Sequence, residues 1–217
     1  MNWQHSKPEE IEKESMRIIA SELAEQGIQI PKEHQGVVYR AIHTAADFDF
    51  AKTLVFTPDA VEKGVQALQA GCPIVTDTNM ALSGMNKGAC AKLGVEKFCY
   101  MADPQVAQTA KEMGTTRAVA SVDVWAEKHP TGIFVVGNAP TALIRMAELI
   151  EQKKLRPTLV VGVPVGFVNV VESKEWIWNL CQSRGIPAIV ALGRKGGSTI
   201  AAAICNALLY QASGRVI

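Results

Sequence analysis

Chemistry in this chain concentrates in Arg40-Ala-Ile-His43-Thr44-Ala-Ala-Asp47-Phe-Asp49, which gathers a cation, an imidazole, a hydroxyl and two carboxylates in a short stretch. Imidazole is the side chain that titrates unaided near neutral pH, so His43 is the first candidate for acid–base work. The chain has 4 histidines, and we expect the other three, His5, His34 and His129, to be exposed in polar surroundings. On a helix, Arg40 three residues before His43 and Asp47 four after share its face, and Asp47 is then placed to orient the ring. A carboxylate near a helix C-terminus is unfavourable without a partner, so Asp47 points either to pairing with Arg40 or His43 or to an earlier helix end. Spacing alone leaves His43 open between a catalytic and a structural role.

Further candidates are glycine-rich. Gly193-Arg194-Lys195-Gly196-Gly197-Ser198 lets backbone approach a ligand, adds two cations, and offers Ser198 as a helix cap beside an anion-favouring N-terminus. It is not a Walker A loop, because the lysine precedes the glycine pair. Asn138, in Gly137-Asn138-Ala-Pro140, caps a helix or holds a ligand. Gly162-Val-Pro164-Val-Gly166 forces a loop, a wall fitted closely to something. Arg117, after Gly114-Thr-Thr, stands at a helix start against the macrodipole, where a ligand carboxylate or plain solvent would accommodate it. Glu172-Ser-Lys174 opens another helix.

These residues need a scaffold. Helical periodicity runs from Glu9 to Glu25 behind Pro8 and ends at Gly27; a second helix from Pro31 carries His43. A short apolar segment, Leu54-Val-Phe56, precedes Thr57-Pro58, read as the cap and first residue of a helix to Gln69. From residue 73 short β-rich runs (73–77, 97–100, 132–136, 158–162, 187–191) alternate with helical patterns (103–113, 140–152, 172–184, 198–209). Apolar strands without strict alternation, joined by helices, predict a parallel sheet covered on both faces. No linker or repeat interrupts it, so residues 1–217 are expected to form one domain. Ligands of such sheets bind beyond the strand carboxyl ends, where the glycine-rich segments fall.

Composition narrows the function. Apolar content of 48% with 20% charged residues is that of a globular chain, and a net charge of +1 gives no basic excess for nucleic acid. The opening Met-Asn-Trp-Gln-His-Ser-Lys-Pro has no apolar core, so we expect no secretory leader, and no apolar run is long enough for a membrane span. The 5 cysteines include no C-x-x-C pair; we expect buried free thiols, a reducing cytoplasm and no metal site.

Taken together, Arg40-x-x-His43-Thr44, Asp77-x-x-Met80, Gly114-x-Thr-Arg117, Gly137-Asn-Ala-Pro-Thr-Ala-Leu143, Pro164-Val-Gly-Phe-Val168, Glu172-Ser-Lys174 and Gly193-Arg-x-Gly-Gly-Ser198 resemble the precorrin-8 methylmutases of cobalamin biosynthesis, in order and over nearly the whole chain. The resemblance implies a three-layer flavodoxin-like α/β fold and a homodimer with interfacial active sites. It implies an isomerase that moves a methyl group from C-11 to C-12 of the macrocycle to give a cobyrinate or hydrogenobyrinate. No cofactor is implied; cobalt, where present, belongs to the corrinoid substrate. His43 matches the family's catalytic position, and Ser15, Arg40 and Arg117 match substrate-binding ones. Thr44, Asn86, Asn138, Arg194, Lys195, Gly196, Gly197 and Ser198 complete the expected contacts. Asn86, where the cobalt-free branch has threonine, and Lys195, often apolar there, lean toward a cobalt-containing substrate. Two other readings stay open: a corrinoid carrier without turnover, and a phosphate- or nucleotide-binding protein using the Gly193–Ser198 loop.

Overall fold

The computed structural model describes residues 7–215. The chain opens with α1 (Pro8–Glu25), α2 (Lys32–Ala45), the single turn α3 (Phe50–Thr53) and the short strand β1 (Leu54–Phe56). There follow α4 (Ala60–Gln69), β2 (Ile74–Thr76), α5 (Asn79–Gly84), α6 (Lys87–Leu93), β3 (Lys97–Phe98), α7 (Pro104–Glu112), α8 (Arg117–Lys128) and β4 (Ile133–Val136). The last third is α9 (Pro140–Glu151), β5 (Leu159–Gly162), α10 (Val170–Arg184), β6 (Ala188–Ala191) and α11 (Ser198–Ala212).

The six strands form one sheet in the order β1-β6-β5-β4-β2-β3. All neighbouring pairs are parallel except β1 with β6, where Leu54 faces Ala191 and Phe56 faces Ile189. Without β1, the remaining five strands run in the 2-1-3-4-5 order of flavodoxin-like sheets, with the switch point between β2 and β4. The expected three-layer fold is the observed one.

Alternate residues of the buried strands feed two cores. Ile133, Val135, Leu159, Val161 and Ile189 lie on the side covered by α4 and α11, over which α2 and then α1 pack, whereas Phe134, Val136, Val160 and Val190 lie on the side of α8, α9 and α10. Because both faces are covered, the strands read as unbroken apolar runs. Helix α11 is apolar on nearly every side, from Ile200 to Ala212, and packs against α2, α4 and α5, as a helix buried all round must.

Two expectations about local structure change. Thr57 does not cap a helix: buried at the sheet edge, its hydroxyl accepts from the Ala188 N–H at 2.8 Å, extending the β1–β6 pairing, and α4 begins only at Ala60. His34 and His129 are half-buried rather than exposed. His34 stacks on Phe56 with ring centroids 3.9 Å apart, and His129 Nε2 is 2.7 Å from the Tyr100 hydroxyl; burial pushes both imidazoles below their ordinary range. His5 lies outside the described residues. The five cysteines are free; Cys90, Cys181 and Cys205 are buried, and burial pushes the thiols of Cys181 and Cys205 up to about 12.

Candidate active site

His43 sits in the last turn of α2, exposed, at the rim of a groove of about 410 Å³ between α1 and α2. The groove has an apolar floor of Ile11, Ile18, Ile42 and Phe48 and an acidic margin of Glu10, Glu14 and Glu22. Across it, Ser15 from α1 brings Oγ to 2.6 Å from His43 Nδ1. That contact occupies one ring nitrogen and fixes the ring plane, leaving Nε2 for a ligand. If Nδ1 is unprotonated the serine donates; if it carries a proton the serine accepts.

Asp47 does not orient the imidazole. Helix α2 ends at Ala45, and Ala46 takes a left-handed conformation (φ 50°), so Asp47 leaves the helical face before reaching His43. Its carboxylate instead accepts from the Lys195 ammonium at 2.6 Å, as does that of Asp49 at 2.6 Å. The Lys195 ammonium holds the Asp47 carboxyl below its usual range, and the two carboxylates raise Lys195 in turn.

Arg40 also has an internal partner. It is 8% exposed, and its guanidinium pairs with Glu12 of α1 and lies 4.6 Å from the Tyr210 ring centroid. Arg215 shares the same carboxylate at 2.8 Å and the same ring at 4.4 Å. Arg40 Nε is buried without a hydrogen-bond partner. Thr44 is exposed and its hydroxyl donates back to the Arg40 carbonyl at 2.8 Å. Asn86 caps α6, accepting from Ala89 N–H at 2.8 Å, while its amide reaches the Tyr210 hydroxyl at 3.3 Å.

The strand-end loops are tied to one another. Asp77, at the end of β2 and 1% exposed, accepts from the backbone N–H groups of Gly137, Asn138 and Ala139 at 2.8, 2.8 and 2.7 Å. Burial pushes its carboxyl upward, and the three N–H donors oppose this. Thus the switch point is filled by the protein's own carboxylate. Gly137 is also pressed against α11; a Cβ there would stand 2.8 Å from Ser198 Cα. Ser198 is not a cap: its Oγ lies 2.8 Å from Thr78 Oγ1, which itself caps α5. A nucleotide phosphate therefore finds its usual position in such a sheet already taken.

What the 162–166 wall fits is the neighbouring loop. Gly197 N–H donates to the Val163 carbonyl at 2.8 Å, and Gly166 N–H to that of Arg194 at 3.2 Å. Gly196 packs so closely that a Cβ would collide with the Val163 carbonyl oxygen. Arg194 is exposed, 5.5 Å from the centroid of Phe167, which is 82% exposed. Arg117 and Asn138 are exposed at the same carboxyl edge, and neither Arg117 nor Arg194 forms an ion pair among the described residues. The structure thus brings Ser15 to His43 and joins Lys195 to the end of α2, while Arg117 and Arg194 remain available cations. Asp77 and Lys174, which sequence reading noted only as motif members, prove to be the anchors of the edge. Among the described residues, no cluster of three or more histidine, cysteine or acidic side chains is arranged for a metal.

Known proteins resemble this chain in sequence and fold. The precorrin-8X methylmutase family profile matches residues 10–211. This chain belongs to that family. It is 49% identical over 179 residues to the cobalt-precorrin-8 methylmutase of Salmonella typhimurium, covering 82% of this chain and 81% of that one. With the cobalt-precorrin-8 methylmutase of Leptospira interrogans it shares 43% over 209 residues and 94% of each chain. The precorrin-8X methylmutase of Sinorhizobium is 34% identical over 82% of this chain and 83% of its own. The solved precorrin-8X methylmutase from Thermus thermophilus superposes with a TM-score of 0.84 at 39% identity, covering 95% of this chain and 99% of that one.

Proposed function

We propose that this methylmutase-family chain is an isomerase of cobalamin biosynthesis that moves a methyl group from C-11 to C-12 of precorrin-8, with the cobalt-containing macrocycle preferred. The observation that carries the reading is the Ser15–His43 pair at the rim of an apolar groove, within a chain that belongs to the family. A 1,5-shift is intramolecular: the carbon–methyl bond at C-11 breaks as that at C-12 forms, and no electron or group is supplied from outside. The protein's task is to hold the ring in one conformation and to stabilise the displaced electron density.

His43 Nε2 is the group for the second task. It donates a proton or a hydrogen bond to a ring nitrogen, or to the ring periphery when cobalt already ligates the nitrogens. Each tenfold in rate needs about 1.4 kcal/mol, and a positioned acid contributes roughly 10²–10⁴-fold. Arg117 and Arg194 meet substrate carboxylates, together with the backbone around Asn138 and Gly196–Ser198. Arg40 joins them only where a substrate carboxylate competes with Glu12.

The cobalt preference rests on the relatives, since the Salmonella and Leptospira proteins named for cobalt-precorrin-8 are more similar to this chain than the Sinorhizobium one named for precorrin-8X. Asn86 and Lys195 do not support it, because helix capping and the pairing with Asp47 and Asp49 account for them. No cofactor enters this reaction. We place the enzyme in the cytoplasm; among the described residues, no helix is long and apolar enough to cross a membrane. We further propose a homodimer, supported by the uncovered apolar residues Ile11, Ile18, Phe167 and Val168, which are 55%, 44%, 82% and 77% exposed. The test is turnover, followed by visible absorption, run in parallel on cobalt-containing and metal-free precorrin-8. A spectral shift faster with cobalt is expected, and binding without a shift in either arm would instead indicate a carrier.

A further inference from the structure

Lys174, in the second turn of α10, is fully buried. Its ammonium donates to two carbonyl oxygens, those of Gly193 and Lys195, each at 2.8 Å. No carboxylate pairs with it among the described residues, and burial alone pulls it down to about 8. An ammonium buried without a counter-ion is costly, and an apolar side chain would fill the space without that cost. The charge must therefore serve what it touches, and its two partners belong to one loop. Those carbonyls flank Arg194. The second belongs to the residue whose own ammonium continues to Asp47 and Asp49, just beyond the helix end that carries His43. A continuous series of contacts thus joins the interior of α10, the β6–α11 loop and the catalytic end of α2.

We propose that Lys174 is a positioning residue: it fixes the Gly193–Gly197 loop, and through Lys195 it fixes the end of α2 that presents His43. The kinetic side of this inference rests on the methylmutase reading; the structural side does not. The test uses the full chain as Lys174→Met, Lys174→Arg, Lys195→Met and the Met/Met double variant, with amide hydrogen exchange and turnover measured together. In Lys174→Met, exchange of the 193–197 amides should rise at least about tenfold while the β4 amides keep their protection. Its kcat/KM should fall at least about tenfold, and the double variant should be no worse than Lys174→Met, because both lesions break the same series. Lys174→Arg keeps a charged donor and should recover part of the loss. Unchanged loop exchange in both Lys174 variants, or strictly additive kinetic losses, would overturn the proposal. If Lys174→Met does not fold, Lys174→Arg against wild type decides it by the same exchange reading. If the wild type turns over neither substrate, the methylmutase reading fails, and loop exchange still decides whether Lys174 holds the loop.

Discussion

Ser15 Oγ and His43 Nδ1 stand 2.6 Å apart on two different helices, 28 residues apart in the chain. The pairing makes the orientation of the imidazole depend on how α1 docks against α2. His43→Ala should lower kcat by about 10²–10⁴-fold, the usual worth of a positioned acid, while circular dichroism stays native. Ser15→Ala removes only the orienting contact and should cost about tenfold in kcat with little change in KM. A Ser15→Ala enzyme with wild-type kcat would detach the serine from the mechanism.

The docking of α1 depends in turn on Glu12, the carboxylate shared by Arg40 and Arg215. Glu12→Gln leaves a mostly buried guanidinium without its counter-ion. Breaking a buried pair from one side costs up to about 5 kcal/mol, and the partial exposure of this one (side chains 10% and 18% exposed) reduces the expectation to about 1–3 kcal/mol. Denaturant midpoints should show that loss, and kcat should fall with it as Ser15 drifts from His43.

Asp77 offers a test at the switch point. Asp77→Asn keeps the shape but presents an amide to three backbone N–H donors, of which its single oxygen cannot serve all. Hydrogen bonds to a charged acceptor are worth about 1.5–3 kcal/mol each, and they are not additive, so a loss of about 2–4 kcal/mol in unfolding free energy is expected. Equilibrium urea titration measures it; a loss below about 0.5 kcal/mol would mean the 137–139 loop holds itself.

Lys174 makes stability depend on pH with a defined sign. Its ordinary value of 10.5 is lowered to about 8 in the folded chain. Below about pH 8 it is charged in both states, and burial of the charge is a standing cost. Between about 8 and 10.5 the unfolded chain holds a proton that the folded chain has released, so stability rises with pH. The slope is at most about 1.4 kcal/mol per pH unit. The stability difference between wild type and Lys174→Met, followed by denaturant melts from pH 7 to 10.5, should shift in favour of wild type over that window. A flat difference would mean that the folded ammonium titrates normally.

Strands β2, β4, β5 and β6 are legible because strands buried on both faces are largely apolar and glycine or proline marks their ends, whereas the half-buried edge strand β3 shows only as the β-rich run 97–100. Leu54–Phe56 was visible only as an apolar segment: its pairing with residues 189–191 is far away in sequence, and three residues show no period. The short helices α5 and α6 left no mark, because one or two turns carry too few apolar repeats. At the site, the type of His43 was informative and its partner was not. No spacing rule links residues on separate helices, and Ser15 came forward only through family resemblance. For Asp47 the sequence leaves two possibilities, orienting the ring or lying past an earlier helix end, and the second holds: α2 stops at Ala45 and Ala46 turns left-handed. The protein partners of Asn86 and Ser198, Ala89 N–H and Thr78 Oγ1, are invisible in sequence, because a polar side chain near a glycine-rich loop looks the same whether or not it also holds a neighbouring element.

The reversed direction of β1 has a larger effect than its three residues suggest. Because Leu54 pairs with Ala191 and Thr53 C=O accepts from Leu192 N–H at 2.8 Å, the chain before β1 reaches the sheet at the end where the parallel strands finish. A parallel β1 would deliver residues 40–53 to the opposite end, some 10–15 Å away at about 3.3 Å of rise per residue. The antiparallel β1 thus brings His43 to the carboxyl ends of the five parallel strands from a segment that precedes all of them in the chain, while α2 closes the core over α11.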